Sequence, residues 1–345
     1  MEKYLPYCLD SLLVDQNRDA FEVLIVNDGS KDRTLAIAND YALNYPGLFR
    51  LIDKKNGNYG SCINVALPLA EGKYVKILDA DDSFDTSNFS EFLAFLDQTA
   101  ADLVLSDIEV VDENRRTLRT LRYGFPLEGT AQFTSISCNP VFIDAIQMHA
   151  VAYRRQILLD IDYHQTEGIS YTDQQWIFTP MTAIATVAYF DKTVYQYLVG
   201  RQGQTMDPKV KSRSMEHARK NSFGLVSDYE KHKRQISDPK ILVYLRSRLK
   251  WYLKDIYVFY ISNNNKSNEA VLRDYDAKLK DLSPEVYELI GRKDVSSIAG
   301  FAYIEFWRKH RIPTAILKIV GSIYRSVLNV RSRKATSNAN LTLGN

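Results

Sequence analysis

Along the first two hundred residues, short apolar runs alternate with amphipathic ones. Leu5, Leu9, Leu12 and Leu13 recur at helical spacing and predict a helix over residues 2–14. Residues 21–26 (FEVLIV) form a compact apolar run that breaks at Asn27-Asp28-Gly29-Ser30, which reads as a strand running into a tight turn. The same logic predicts helices over 31–45, 62–70 and 87–96, and strands over 48–52, 74–78 and 102–111. Strands alternating with helices at this spacing predict an α/β fold with a mostly parallel sheet. From about residue 201 the alternation stops. Residues 209–234, 239–261 and 269–282 read as helices, 263–268 (NNNKSN) as a polar linker, and 335–345 as a disordered tail. The organisation expected is an α/β domain over 1–205, a helical basic region over 206–334, and the tail.

Charge reinforces this division. Residues 1–200 carry 16 Lys and Arg against 28 Asp and Glu, whereas residues 201–345 carry 28 against 14. The overall net charge of +2 therefore hides halves of −12 and +14. No run of about 18 uncharged apolar residues is present, so no spanning helix is expected. Residues 1–13 are polar and amphipathic, unlike a secretory leader. Cys8, Cys62 and Cys138 are odd in number and widely spaced, which suits a reducing cytoplasm and gives no metal-ligand spacing. No nucleic-acid partner is indicated.

In open α/β sheets, ligands bind beyond the carboxyl ends of strands. Two such ends here are acidic: Asp28, and Asp79-Ala80-Asp81-Asp82. Three carboxylates in four residues repel one another unless a cation or hydrogen-bond donors compensate. Hard oxygen ligands suit Mg²⁺ or Mn²⁺, and an acidic turn capping the next helix is the competing reading. Asn56-Gly57-Asn58-Tyr59-Gly60-Ser61 is a glycine-bearing loop that leads into a helix with Asn64. It has neither a Walker pattern nor GxGxxG. Thr172 or Asp173 could cap a helix through Ile177, and the lone His149 is more often structural than functional.

The segments EKYLPYCLDSLL (2–13), FEVLIVNDGSKD (21–32), NGNYGSCIN (56–64) and GKYVKILDADD (72–82) resemble, in order and spacing, the motifs of family 2 glycosyltransferases of GT-A fold. The resemblance covers about residues 2–205, and Cys62-Ile63 stand where many members have Ala-Arg. It implies a nucleotide-sugar donor, with Asp28 at the base, Asp79 at the ribose, Asp81 on a Mn²⁺ or Mg²⁺ that bridges the diphosphate, and Asp82 as a further or outer ligand. Asn56 and Asn64 are grouped with the donor contacts. The element TDQQW (172–176) is similar to the family's acid–aromatic motif, making Asp173 the general base of an inverting transfer, with Trp176 and His149 as possible walls for a sugar ring. GRQGQT (200–205) looks like a segment of a Gram-positive subgroup, so Arg201 and Gln204 join the donor contacts; an exposed loop arginine is the alternative.

Residues 301–334 hold eight Lys and Arg and the single acid Glu305, with apolar residues at helical spacing and aromatics at Phe301, Tyr303, Phe306 and Trp307. This composition suits an interfacial helix on an anionic membrane surface, and equally a packed helix with a solvated basic face. A UDP-sugar donor, a glycan or lipid-linked acceptor of the cell envelope or an exopolysaccharide, and a peripheral position at the inner face of the membrane follow as the expectation. The rival is a catalytically impaired assembly or regulatory subunit of the same fold. The family's first strand, which lies between the strands at 21–26 and 74–78, has no counterpart before Glu2. The sheet is therefore expected to lack that strand, and a chain extended upstream by about ten residues is expected to bind UDP more tightly.

Overall fold

The computed structural model describes residues 1–124, 130–132, 146–170, 172–201 and 208–310, the last stretch without 237, 264, 296, 299 and 300. The chain divides into two compact units, Met1–Met206 with Ile236–Ile241, and Asp207–Gln235 with Leu242–Asn345.

The first unit begins with α1 (Leu5–Asp10), β1 (Val23–Asp28), α2 (Thr34–Asn44), β2 (Phe49–Lys54) and α3 (Asn58–Ala66). Two helices end earlier than the periodicity predicted, and α3 also begins earlier, at Asn58. α1 stops at Asp10 because the Ser11 hydroxyl donates back to the Cys8 carbonyl and accepts from the Phe84 amide. α3 gives way to a 3-10 turn at Leu67–Leu69, where Pro68 cannot extend the α-helical ladder. The strand expected over 74–78 shrinks to β3 (Tyr74–Val75), after which the chain runs unpaired into the acidic turn.

Next come β4 (Ser83–Phe84), α4 (Thr86–Gln98), β5 (Leu103–Val111), β6 (Thr117–Leu121) and β7 (Thr130–Gln132). β8 (Val151–Arg154), α5 (Arg155–Asp160), α6 (Asp173–Trp176) and β9 (Thr186–Leu198) complete the unit. Asp85 caps α4 by accepting from Asn88 N at 2.8 Å, and Phe89, Phe92 and Leu93 form its buried face. β5 lies at the middle of the main sheet, between β8 and β9, and is buried along nearly its whole length.

The expectation of a mostly parallel sheet needs correction. Among the described ladders only β1–β2 and β5–β9 are parallel; β3–β8, β5–β8, β4–β9, β5–β6 and β7–β9 are antiparallel. The helix–strand alternation that implies parallel crossovers ends once β5 is laid down; β6 and β8 return alongside it in the opposite sense, and β9 alone runs parallel to it among the described strands. β1 pairs only with β2, and no described strand joins β1 to β3. The two sheets share one core instead, in which Ile25 and Phe49 cluster with Leu5, Leu9, Phe92, Val104 and Tyr195.

The second unit contains α7 (Pro208–His232), α8 (Pro239–Ser262), α9 (Lys266–Leu282), α10 (Pro284–Gly291), a short ladder of β10 (Ser297–Ile298) with β11 (Phe301–Ala302), and α11 (Tyr303–His310). Tyr303 and Trp307 are buried here, and Trp307 donates to Glu269. They act as core residues of this unit and do not face a membrane. The rest of the predicted interfacial segment, 311–334, and the tail lie outside the described residues.

Candidate active site

The β1–β2 register places the last residues of the two strands side by side, Asp28 opposite Lys54 and Asn27 opposite Asp53. The Lys54 ammonium donates to Asp28 at 2.6 Å and to Ser61 at 2.7 Å, while Asn27 donates to Asp53 at 2.7 Å. Asp28 also accepts from the Gly57 amide at 2.9 Å, and Asn56 donates to the Asp28 carbonyl at 3.0 Å. Gly29 takes φ +68°, and a Cβ there would stand 3.0 Å from Asn56 N, so the turn needs glycine on both counts. A pocket of about 480 Å³, largely open to solvent, lies beside these groups, lined in part by Lys54, Lys55, Asn56, Asn64 and His164.

The acidic turn forms the second half of the site. Asp82 is buried, its carboxylate accepting from Tyr195 at 2.6 Å and from the Leu198 amide at 2.7 Å. Tyr195 also accepts from the Asp79 amide at 3.1 Å, so one β9 hydroxyl anchors both ends of the turn. Asp81 is ion-paired with Arg201 at 2.5 Å, and its carbonyl accepts from Arg115. The His149 ring stacks on Tyr197 with centroids 4.4 Å apart and interplanar angle 29°. Its Nδ1 is buried and has no hydrogen-bond partner among the described residues. Ligand atoms of Asp79, Asp82 and His149 all lie within 4.8 Å of one another.

The electrostatics of this corner are those of a site short of positive charge. Burial, then the neighbouring Asp81 charge, pushes the Asp79 carboxyl up to about 7. Burial pushes Asp82 up to about 8 in spite of its two donors. Burial, with the charge of Lys76, holds His149 down to about 4. Asp173, at the first position of α6, is close enough for its charge to raise Asp79 and Tyr59 further; Tyr59 lies beside the Asp79 carboxylate, its hydroxyl donating to Met148 Sδ at 3.4 Å.

The structure thus gathers Asp79, Asp82, His149, Asp81, Arg201 and Asp173 into one region. Asp28 and Asn56 meet at the β1–β2 end, and α3 spans the interval by offering Gly57 N to Asp28 and placing Tyr59 beside Asp79. Asn64 lines the pocket beside Asp28, with its amide hydrogen-bonded to Gln165, Glu167 and His164. Trp176 is fully buried, edge-on to Tyr153 and Tyr163, and presents no ring face to a sugar. Thr172 makes no side-chain cap to α6. Gln204 lies outside the described residues. Sequence reasoning missed Lys54, Tyr59, Arg115 and Tyr195. Tyr195 and Tyr197 alternate along β9 and so share one face, a period-of-two signal that was available. Lys54 required the β1–β2 register.

Comparison with known proteins bears on this arrangement. Residues 1–160 match the family model of glycosyl transferase family 2. An uncharacterized glycosyltransferase of Mycoplasma pneumoniae is 40% identical over 95 residues, 27% of this chain and 31% of its own. The poly(ribitol-phosphate) β-N-acetylglucosaminyltransferase TarS of Staphylococcus aureus is 26% identical over 208 residues, 59% of this chain and 35% of its own. The chain thus spans about a third of the length of these relatives. A crystal structure of S. aureus TarS residues 1–349 with UDP-GlcNAc superposes with TM-score 0.62 at 20% identity, covering 89% of this chain and 88% of that one. The superposition shows the GT-A fold, with a sheet-based part and a C-terminal helical region. Motif order, acidic strand ends and fold agree with that match: over residues 1–160 the chain is similar to glycosyl transferase family 2.

Proposed function

We propose that this chain is a metal-dependent, inverting glycosyltransferase that moves one sugar from a UDP-sugar to a cell-envelope glycan or lipid-linked acceptor at the inner face of the membrane. The observation that carries the reading is the convergence of Asp79, Asp82 and His149 on one point, with the Asp173 charge felt at Asp79. A buried imidazole nitrogen without a partner beside two carboxylates of raised pKa fits a divalent cation. Mn²⁺ or Mg²⁺ would be held by Asp79, Asp82 and His149, with Asp81 reaching it once released from Arg201. An ion held there would supply positive charge against the departing nucleoside diphosphate.

The chain's own residues supply the rest. Asn56 lines the open pocket that receives the base end of the nucleotide, and Asp28 stands behind it, bonded to the lining residues Lys54 and Gly57. Arg201, freed from Asp81, offers a fork that matches a diphosphate. Asp173 accepts the proton of the acceptor hydroxyl as its oxygen attacks the anomeric carbon from the face opposite UDP, which inverts that centre. TarS is named for transferring N-acetylglucosamine to a poly(ribitol-phosphate), and a cell-wall polyol phosphate is accordingly the first acceptor to try. Among the described residues no helix is long and apolar enough to cross a membrane; attachment to the membrane surface would rest on the basic C-terminal region.

Calorimetry tests the donor site. UDP is expected to bind the wild type in the presence of Mn²⁺ and much more weakly without it. Asp79→Asn should lose this dependence, and Asp81→Asn should weaken it. Asp173→Asn should bind UDP as the wild type does yet turn over roughly 10²-fold more slowly. UDP affinity that ignores both Mn²⁺ and Asp79→Asn would refute the metal assignment. The impaired-subunit reading draws on the separation of β1 from β3 and predicts no UDP binding at all.

A further inference from the structure

Gln165 lies outside every motif singled out in the sequence, yet it is fully buried and its side-chain amide is hydrogen-bonded at both ends. Its Nε2 donates to the Thr172 carbonyl and to the Thr172 hydroxyl, both at 2.8 Å. Its Oε1 accepts from the Tyr163 hydroxyl at 2.9 Å. Its main chain is held as firmly: the amide donates to Asn64 Oδ1, and the carbonyl accepts from Asn64 Nδ2, each at 2.8 Å. The strap of residues 163–170 is therefore fastened to α3 through a reciprocal Asn64–Gln165 pair, and Thr172 beyond it is fixed by the Gln165 amide.

Three further contacts make this seating tight. Thr166 N donates to Gln175 at 2.9 Å, tying the strap to α6. Gly168 N donates to the Gly57 carbonyl at 2.8 Å. A Cβ on Gly60 would come within 2.2 Å of the Thr166 carbonyl oxygen, so α3 and the strap approach as closely as their backbones allow. Thr172 is the residue immediately before Asp173. With the Thr172 carbonyl and hydroxyl both committed to Gln165, the peptide that carries Asp173 has little freedom to turn.

We propose that Gln165, backed by Asn64, is a positioning residue for Asp173: it locks the Thr172–Asp173 peptide against α3, the helix whose Tyr59 touches Asp79, so that the base faces the donor end of the site. A catalytic group must be held to within a fraction of an ångström, and residues that touch no substrate commonly do the holding. The inference rests on the reading of Asp173 as the base.

The experiment is a double-mutant cycle on Gln165 and Asp173. The rate measured is UDP release from UDP-sugars with Mn²⁺ and water as acceptor, using whichever UDP-sugar the wild type cleaves fastest. UDP affinity by calorimetry and the melting temperature are recorded for each variant. Gln165→Met is expected to lower kcat by roughly 10-fold or more, with KM for the donor and the Kd for UDP nearly unchanged. Gln165→Glu keeps the shape, and above the pH at which its buried carboxyl ionises it cannot donate to the Thr172 carbonyl; assayed there, it should lose a similar factor. In an Asp173→Asn background the same Gln165 changes should cost almost nothing further, because the group they position is already gone. Equal losses in both backgrounds, or full activity of Gln165→Glu with UDP binding intact, overturn the positioning role. Undiminished release by Asp173→Asn itself, or no release by the wild type from any UDP-sugar, overturns the underlying reading, and the proposal with it. If Gln165→Met fails to fold, Gln165→Glu and Thr172→Val, which removes only the hydroxyl acceptor, carry the same comparison.

Discussion

At the scale of single residues, the acidic corner is governed by burial. Lys76 has its ammonium buried, donating to the His149 carbonyl at 2.6 Å with aromatic faces around it, and burial holds it down to about 7. Below pH 7 the native protein carries this charge at a cost. Between pH 7 and the ordinary lysine range the unfolded chain keeps the proton and the native chain releases it, so this group makes stability rise with pH across that window. A tenfold difference in proton affinity between the two states corresponds to about 1.4 kcal/mol. Lys76→Met removes this dependence. The melting temperature of the variant relative to wild type should therefore be most favourable near pH 6 and decline towards pH 9, which thermal melts at the two pH values would check. A relative stability that is flat in pH would show that Lys76 stays charged. His149 invites a second measurement. If its free nitrogen is a metal ligand, His149→Phe should keep the stacking on Tyr197 yet weaken Mn²⁺ binding by roughly tenfold or more, read by titration of the metal with UDP present.

At the scale of elements, α3 is the hinge of the candidate site. Its first turn satisfies Asp28, its second residue reaches Asp79, and its middle presses on the strap that precedes Asp173. Gly60 makes that pressure possible. Gly60→Ala should cost about 1–3 kcal/mol through backbone displacement, the usual scale of overpacking. Because the displaced partner is the strap, turnover should fall further than UDP affinity does. Thermal melts and UDP calorimetry on the same sample separate the two effects, and an alanine tolerated without loss of stability would contradict the close approach. At the other sheet, β1 and β3 each present one edge without a described partner. Unpaired strand edges are open to pairing, although here packing of Ile25, Phe49 and Leu78 in one core holds the two sheets together.

At the scale of the whole molecule, the halves differ in charge, −12 for residues 1–200 and +14 for residues 201–345. If the basic region seats the protein on anionic lipid, each Lys or Arg near the surface contributes about 1 kcal/mol, weakening as salt is raised. Arg308 is not among those charges: it is paired with Asp276 at 2.9 Å and lies 3.6 Å from the Tyr287 ring centroid. The full chain should co-sediment with vesicles rich in anionic lipid at low salt and come off as salt rises, and a chain ending at Gly300 should bind less. Equal sedimentation of the two chains would remove residues 301–345 from any such role.

How much could be read in advance varied with the range of the interaction involved. Apolar runs and their punctuation reveal β1, β2, α2 and α4, because local periodicity and turn chemistry decide those elements. The four motifs likewise carry the family resemblance and the acidic turn, since adjacent carboxylates are adjacent in any fold. Contacts across the chain were not visible in this way. That Asp81 is paired with Arg201, that Asp79 and Asp82 hang from Tyr195, and that His149 comes beside them depend on strands distant in sequence lying next to one another. Trp176 shows the same limit. The resemblance of TDQQW to an acid–aromatic motif implied a wall for a sugar ring, whereas the packing of Tyr153 and Tyr163 made Trp176 core. The sequence by itself determined which groups carry charge and where the local turns fall. Only the tertiary structure decided which charges meet and how deeply they are buried, because burial and long-range pairing belong to the packed chain and have no local signature along it.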